Sequence, residues 1–357
     1  MDSYKSMIRI LYLTRAKLSL SRAHTQNIIK TAEYLNKGGD IDTVVFSSAS
    51  DDKGDGDIFD SKTVTDKFLL DVSKNKRLLI PVLFKKRNSF DILYFRDPIL
   101  WYLAFFARFF LHKKVVFEVH GSHEWWWAGP FWFFSARLAN GLIFITQALK
   151  DFYNFKKPQI VVHCSGVDFS NFDFKQDKAV LRSELKLPND KFLILYAGSL
   201  LWQSKEMMVN IAGLLPDNAI LVLLGVTKQE NFASDRIIII PRVIPKKIPQ
   251  FLLAADILIN PLSIDFPGSI SSKLYEYLAS GKPIVSFGGN AIKEVLNDGE
   301  NAILVNPMKA EDFVDAINKV ISNEDLRVLL SNNARKSAEN YTWEKRANTI
   351  YQFIKSL

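Results

Sequence analysis

The sequence predicts an α/β protein made of two doubly wound parallel-sheet domains facing each other across a cleft. At 357 residues the chain is longer than one hydrophobic core usually spans. Short apolar runs alternate throughout with stretches of helical period, the pattern of parallel strands joined by crossover helices. A polar stretch near 170–190 (NFDFKQDKAVLRSELKLPND) splits these runs into two sets and opens into a short helix, which places a hinge at Asp173 to Lys178.

In the first set the strands are IRILYLT (8–14), DTVVFSS (42–48), DILYFR (91–96), KKVVFEVH (113–120), GLIFIT (141–146) and QIVVHCS (159–165), six in one sheet. In the second they are FLILYAGS (192–199), AILVLLGV (219–226), RIIIIPRV (236–243), DILINPL (256–262), KPIVSF (282–287) and AILVNP (302–307). The expected domains are therefore 1–174 and 175–340, followed by a terminal helix over 341–357.

Composition narrows the class. With 48% apolar and 24% charged residues the chain is globular. A single cysteine, Cys164, forms no internal disulfide, and MDSYKSMIRILYL lacks the features of a signal peptide, so a cytoplasmic location is expected. The longest apolar run, Ile99 to Leu111, is broken by Arg108 and is too short to span a bilayer.

Of the formal +8 charge, residues 1–175 hold 25 Lys/Arg against 18 Asp/Glu, and residues 176–357 hold 21 against 20. Residues 74–150 alone hold 12 against 4, interleaved with aromatics in KNKRLLIPVLFKKR (74–87), the expected helix ILWYLAFFARFFLHKK (99–114) and WWWAGPFWFF (125–134). Bases beside Trp and Phe suit an anionic membrane surface, while an ordinary buried helical layer reads equally well. No nucleic-acid-binding module accompanies them, so nucleic acid is not an expected partner.

Ligands of open parallel sheets sit beyond the carboxyl ends of strands, so residues there are the candidates for function. The run FPGSISSKLYEYLASGKPIVSF (266–287) is the most informative. A strand ends at Leu262, a loop with Pro267, Gly268 and Ser269 follows, and a helix begins near Ser271 or Ser272. Unpaired amides at that helix start suit a diphosphate. Glu276, about one turn in, is placed to accept hydrogen bonds from ribose hydroxyls.

This run resembles the donor-binding segment of the retaining glycosyltransferase family 4, in which a loop bearing glycine and serine precedes Lys-Leu-Tyr/Phe-Glu-Tyr-Met/Leu-Ala-Ser-Gly-Lys-Pro. AADILINPL (254–262), KEVLNDGENAILVNP (293–307) and YTWEKRANTIYQFI (341–354) extend the resemblance over most of residues 190–355. It implies two Rossmann-like domains of the GT-B type, a nucleoside diphosphate sugar as donor and no cofactor or metal. It also implies a final helix that returns to the N-terminal domain.

By the resemblance, Glu276 is the second glutamate of the family's Glu-x7-Glu signature, and Gly268 stands where the first is usual. Lys205 matches the family's diphosphate lysine, whereas Ser199, after Gly198, stands where an arginine is usual. Ala302 replaces another usual glycine. The candidate nucleotide-sugar residues are Gly198, Ser199, Lys205, Gly225, Arg242, Val243, Gly268, Ser269, Ile270, Ser271, Ser272, Lys273 and Glu276.

In the first half, VVFEVHGSHEWWW (115–127) matches the family pattern of a histidine after a strand, which makes His120 and Glu118 the catalytic candidates. His120, His123 and Glu124 read alternatively as metal ligands, but their spacing fits no good set. The loop after the first strand, with Ser21, Arg22 and His24, lacks the family's small residues. Arg22, His24 and Arg96 are the acceptor-side candidates for an anionic acceptor or leaving diphosphate.

The expected function is retaining transfer of a sugar to a hydroxyl of a saccharide or lipid-linked glycan, in cell-surface polysaccharide biosynthesis. The alternatives are a sugar-nucleotide epimerase or phosphorylase of the same fold, or a degenerate sugar-nucleotide-binding scaffold at the membrane.

Overall fold

The computed structural model describes residues 7–16, 23–47, 69–71, 79–121, 129–174, 176–200, 204–226, 232, 234–262, 268, 270–305 and 309–357. The chain divides into two compact units, Met1–Ser165 together with Trp343–Leu357, and Gly166–Thr342.

In chain order the first unit holds β1 (Ile8–Thr14), α1 (Ala23–Lys37), β2 (Ile41–Ser47), β3 (Leu69–Asp71), α2 (Leu79–Lys85), β4 (Ile92–Phe95), α3 (Trp101–Phe109), β5 (Lys114–Val119), α4 (Gly129–Leu138), β6 (Gly141–Phe144), α5 (Gln147–Tyr153) and β7 (Gln159–Val161). Its strands are all parallel, in the order β3-β2-β1-β4-β5-β6-β7. The sheet thus has seven strands where six are expected. The extra one, β3, is the three-residue strand LLD, which the sequence reading did not include.

The second unit follows with α6 (Lys178–Glu184), β8 (Phe192–Ala197), α7 (Lys205–Leu214), β9 (Ala219–Leu224), β10 (Ile237–Ile240), α8 (Ile248–Ala254), β11 (Ile257–Asn260), α9 (Lys273–Ser280), β12 (Ile284–Phe287), β13 (Ile303–Val305), α10 (Ala310–Ser322) and α11 (Glu324–Ala338). Its six strands are parallel in the order β10-β9-β8-β11-β12-β13. The six expected strands are all present. Two end early for a visible reason: β8 and β9 stop where Gly198 (φ +135°) and Gly225 (φ +93°) leave the extended region.

Both sheets reverse direction of growth beside their first strand, between β1 and β4 and between β8 and β11. Crossovers on either side of such a point leave to opposite faces, so the carboxyl ends there border a crevice. This places the segments after β1 and β4, and those after β8 and β11, where a ligand is best received.

The last helix, α12 (Trp343–Ser356), belongs to the first unit. Trp343, Ala347, Ile350, Phe353 and Ile354 recur at helical spacing and are buried with Ile28, Ala32 and Leu35 of α1 on one face of the sheet. Each large apolar side chain so buried contributes about 1.5–3 kcal/mol. The approach is close. A Cβ on Gly141 would lie 2.7 Å from the Leu357 side chain and 2.8 Å from that of Phe353, so a larger residue at the start of β6 would require those side chains to shift.

The division between the units falls after Ser165, short of the Asp173 to Lys178 stretch expected to be the hinge. Val167 already bridges Thr342, and Val167 and Phe172 lie in the second unit's core. The expected helix over 99–114 is also shorter. A 3-10 turn at Pro98–Leu100 leads into α3, which ends at Phe109, and Lys114 is already paired with Ile92 in the sheet.

Candidate functional site

In the second unit, the region beside the reversal of the sheet is built from three strand ends and one helix start. Gly198 follows β8 and Gly225 follows β9; the Gly225 amide donates to the Ile240 carbonyl and the Gly198 amide to that of Leu224, each at 2.8 Å. A Cβ on Gly225 would sit 3.5 Å from the Gly198 carbonyl oxygen. With no side chain on either residue, the strand ends present bare backbone, which lets a bulky ligand group approach the chain closely.

Facing this backbone is the first turn of α9. Ser272 occupies the N-cap position without a side-chain cap bond, so the amides of that turn are not consumed by a serine hydroxyl. Ser271 accepts a bond from the Leu274 amide through its carbonyl at 3.1 Å, and Ile270 is buried. Gly268 is buried at φ +81°, a conformation that explains glycine at this position whatever its neighbours.

Lys273 and Glu276 project from that turn three residues apart, the spacing of an ion pair on a helix surface. They are not paired with each other. Among the described residues neither side chain has a hydrogen bond or an ion pair. The Lys273 ammonium instead lies 3.9 Å over the Tyr196 ring, and would be 3.4 Å from a Cβ on Gly198. Burial alone pulls the Lys273 ammonium down to about 7 and pushes the Glu276 carboxyl up to about 7.

Among the described residues, a part-buried ammonium and a part-buried carboxyl that do not pair with each other, beside bare backbone and a helix start without a serine cap, suit a ligand with an anionic part and a hydroxyl-bearing part. Tyr196 and Tyr277 fix the walls. The Tyr196 hydroxyl donates to the Ser199 carbonyl at 2.7 Å, while that of Tyr277 accepts from the Ala197 amide at 2.8 Å and donates to Ile259 at 3.3 Å. Ser199 thus contributes its carbonyl to the wall, and its side chain is exposed.

Lys205 opens α7, capped by Ser204, and its ammonium stands 5.1 Å from the Phe232 ring. Arg242 is exposed and Val243 packs against the core, just past β10 on the same edge of the sheet. Arg22, Ser269 and Pro267 lie outside the described residues, as do Ser21, His123, Glu124, residues 74–78 and 125–127.

The first unit carries a different constellation. Glu118, inside β5, is wholly buried. Its Oε1 accepts from Arg346 Nη2 at 2.6 Å and lies 3.1 Å from His120 Nε2; its Oε2 accepts from the hydroxyls of Tyr94 at 2.6 Å and Tyr12 at 3.4 Å. Burial pushes the Glu118 carboxyl up, but the charge of Arg346, with His120 and Arg96, outweighs it and holds the group well below the usual carboxylate range. Burial, reinforced by Arg96, pulls the His120 imidazole down to about 4 against the attraction of Glu118.

Arg346 comes from α12, and sequence reasoning overlooked it together with Tyr12 and Tyr94. Its Nε donates to the Thr31 hydroxyl at 3.2 Å and its Nη1 to the carbonyls of Val162 and His163. An arginine on the apolar face of an otherwise amphipathic helix was the available signal, since Trp343, Ala347 and Ile350 share that face. Arg96, beyond β4, reaches the His24 carbonyl at 3.5 Å, which brings those two acceptor-side candidates together near the glutamate.

Known proteins resemble this arrangement. Residues 177–337 match the family described as Glycosyl transferases group 1. A D-inositol 3-phosphate glycosyltransferase of Xylanimonas cellulosilytica is 26% identical over 184 residues, covering 48% of this chain and 43% of that protein. This chain therefore spans less than half of that relative's length. An uncharacterized glycosyltransferase of Methanocaldococcus jannaschii is 25% identical over 304 residues, covering 75% of this chain and 76% of its own.

Among solved structures, Anabaena HepE in complex with UDP-glucose superposes with a TM-score of 0.79 at 17% identity, over 98% of this chain and 100% of that one. The apo form of the lipopolysaccharide outer core galactosyltransferase WaaB gives 0.71 at 16% identity, over 98% and 99%. The six parallel strands, the glycine-ended β8 and β9 and the Lys273–Glu276 turn all lie within residues 177–337, the span that matches the glycosyl transferases group 1 family, in a chain that has the GT-B fold.

Proposed function

We propose that the protein is a retaining glycosyltransferase that moves a sugar from a nucleoside diphosphate sugar to a hydroxyl of a saccharide or lipid-linked acceptor, without a metal. The observation that carries this reading is the pair Lys273 and Glu276, which make no hydrogen bond or ion pair among the described residues, with Lys273 beside Gly198. Glu276 accepts the ribose hydroxyls. Lys273, Lys205 and the first amides of α9 take the diphosphate, whose charge grows as the sugar departs as an oxocarbenium-like species. Gly198 and Gly225 let the nucleotide approach the backbone. HepE, bound to UDP-glucose, gives uridine nucleotides as the first probes.

The test is calorimetric titration with UDP, GDP and ADP, followed by nucleotide release from their glucose conjugates with and without membrane extract. One nucleotide is expected to bind in the micromolar range, with Glu276→Ala weakening it at least tenfold. Absence of uptake for every nucleotide overturns the reading. Conversion of a donor without any acceptor would favour an epimerase or phosphorylase, and binding without turnover would favour a sugar-nucleotide-binding scaffold.

A membrane-proximal acceptor is supported by a separate observation. Phe105, Phe109 and Phe110 at α3 and Phe133 and Phe134 on α4 are exposed, Phe110 by 63%, while Leu103, Ala104 and Ala107 of α3 face the core. The Arg108 guanidinium lies 5.7 Å from the Phe109 ring. Exposed aromatic rings beside cations suit the interface of an anionic bilayer. No helix among the described residues is long and apolar enough to cross one. Flotation with vesicles containing phosphatidylserine at low salt is expected, and a joint Phe109→Ser and Phe110→Ser exchange is expected to abolish it; no flotation of the unaltered protein discards this part.

A further inference from the structure

Strands β8 and β11, the central pair at the reversal of the second sheet, do not stay paired to their ends. Ile257 pairs with Ile194 and Leu258 with Leu195, and the ladder stops there, although β8 continues to Ala197 and β11 to Asn260. In the same register Ile259 would lie opposite Tyr196, and the next parallel bond would run from the Ala197 amide straight to the Ile259 carbonyl. The Tyr277 hydroxyl stands in that bond's place. It accepts from the Ala197 amide at 2.8 Å and donates to the Ile259 carbonyl at 3.3 Å.

One oxygen atom from α9 thus separates two backbone groups that would otherwise meet. Ala197, Ile259 and Tyr277 are all buried, so the relay is a closed one in which each polar group finds a partner. Burial pushes the Tyr277 hydroxyl up, so it keeps the proton that it donates. A phenylalanine would fill the same space, but only a hydroxyl both accepts from an amide and donates to a carbonyl.

The wedge acts on both walls of the site. On the sheet side it holds Ala197, the residue before Gly198, while the Gly198 amide is held from the other side by the Leu224 carbonyl at 2.8 Å. On the helix side Tyr277 follows Glu276 directly and comes one turn after Lys273, on the same face of α9. The Lys273 ammonium lies 3.9 Å over the Tyr196 ring and would be 3.4 Å from a Cβ on Gly198. We propose that Tyr277 is a positioning residue of the nucleotide-sugar site: its hydroxyl parts β8 from β11 at the reversal of the sheet and fixes Lys273 and Glu276 against the bare backbone of Gly198. This rests on the reading of that site as one for a nucleotide sugar, and the two fail separately.

Tyr277→Phe removes the oxygen and keeps the ring. In the folded variant, whichever of UDP, GDP and ADP the unaltered protein binds is expected to bind roughly tenfold more weakly by calorimetry. Asn301→Ala is the control. Asn301 is buried in the same unit and bonded to the Val295 carbonyl and the Ser337 hydroxyl, away from α9, so its loss is expected to lower stability and leave the affinity unchanged. Unchanged affinity in folded Tyr277→Phe, or an equal loss in Asn301→Ala, means that the hydroxyl serves stability alone and overturns the proposal.

Lys273 gives a readout that needs no nucleotide. Its amine, pulled down to about 7 by burial, is expected to rise by about one pH unit in Tyr277→Phe as water enters the loosened turn. NMR of the chain labelled at its lysines follows this, with the Lys273 signal identified by its loss in Lys273→Gln. An unchanged midpoint in the folded variant overturns the positioning of Lys273, whether or not any nucleotide binds. If no nucleotide binds the unaltered protein, the functional reading falls and the midpoint still decides the wedge. Should Tyr277→Phe fail to fold, the unaltered protein decides: a slowly exchanging Tyr277 hydroxyl proton in contact with the Ala197 amide proton is expected, and a hydroxyl in rapid exchange with water overturns the proposal.

Discussion

The two units bury ionisable groups in opposite ways. In the first, Glu118 is surrounded: a guanidinium, two tyrosine hydroxyls and an imidazole lie on its two oxygens, and every partner comes from a different element or strand. In the second, the part-buried Lys273 and Glu276 share one helical turn, are both brought to about 7 by desolvation and leave each other unpaired. Burying a charge costs several kcal/mol unless partners replace the lost water. A saturated cluster therefore holds geometry, whereas an unsaturated one keeps a binding capacity in reserve for something the protein does not itself supply.

The largest expected effect tests the saturated side. Arg346→Met leaves Glu118 as an uncompensated buried carboxylate and is expected to cost about 3–5 kcal/mol in denaturant unfolding of the first unit. Adding Glu118→Gln removes the stranded charge while an amide oxygen still accepts from Tyr94, so the double variant should recover a good part of that loss. A double variant no more stable than Arg346→Met would mean that lost packing against Thr31 and Val162, and not charge, dominates, and the comparison between the units would lose its electrostatic basis.

How much of this was legible in the sequence follows the same division. The second unit's site is local: strand, loop, Ser272, Lys273 and Glu276 fall within one run, and each residue's place follows from where α9 begins. What the sequence could not show there is the Tyr196 ring beneath Lys273, because it is contributed by a strand 77 positions away, from 196 to 273. The first unit's cluster is non-local. Glu118 and Arg346 are 228 residues apart, and no periodicity links a strand interior to a terminal helix. His120 and Glu118 were recognisable as strand-end residues, but Tyr12 and Tyr94 read as ordinary apolar strand positions. Short apolar runs marked every described strand except β3.

The smaller effect tests the unsaturated side, and its sign is opposite. The Glu276 carboxyl is raised by burial from 4.5 to about 7 in the folded chain. A group whose folded value lies above its unfolded value contributes fully below the unfolded one, and that contribution is lost as pH rises through the folded one. The unliganded second unit should therefore lose stability to Glu276 between about pH 4.5 and 7, with a ceiling of roughly 3 kcal/mol at 1.36 kcal/mol per unit. Lys273 works in the reverse direction, its lowered value costing stability as pH falls from 10.5 toward 7. Glu276→Gln removes the first penalty and keeps the shape, so it should unfold later than the unaltered protein by about 1–3 kcal/mol at pH 8 and by almost nothing at pH 4, while binding nucleotide more weakly. A stabilised, non-binding variant is the signature of a charge kept for a ligand. If Glu276→Gln were instead destabilising at pH 8, the glutamate would have partners inside the protein after all, and the two units would bury charge for the same reason.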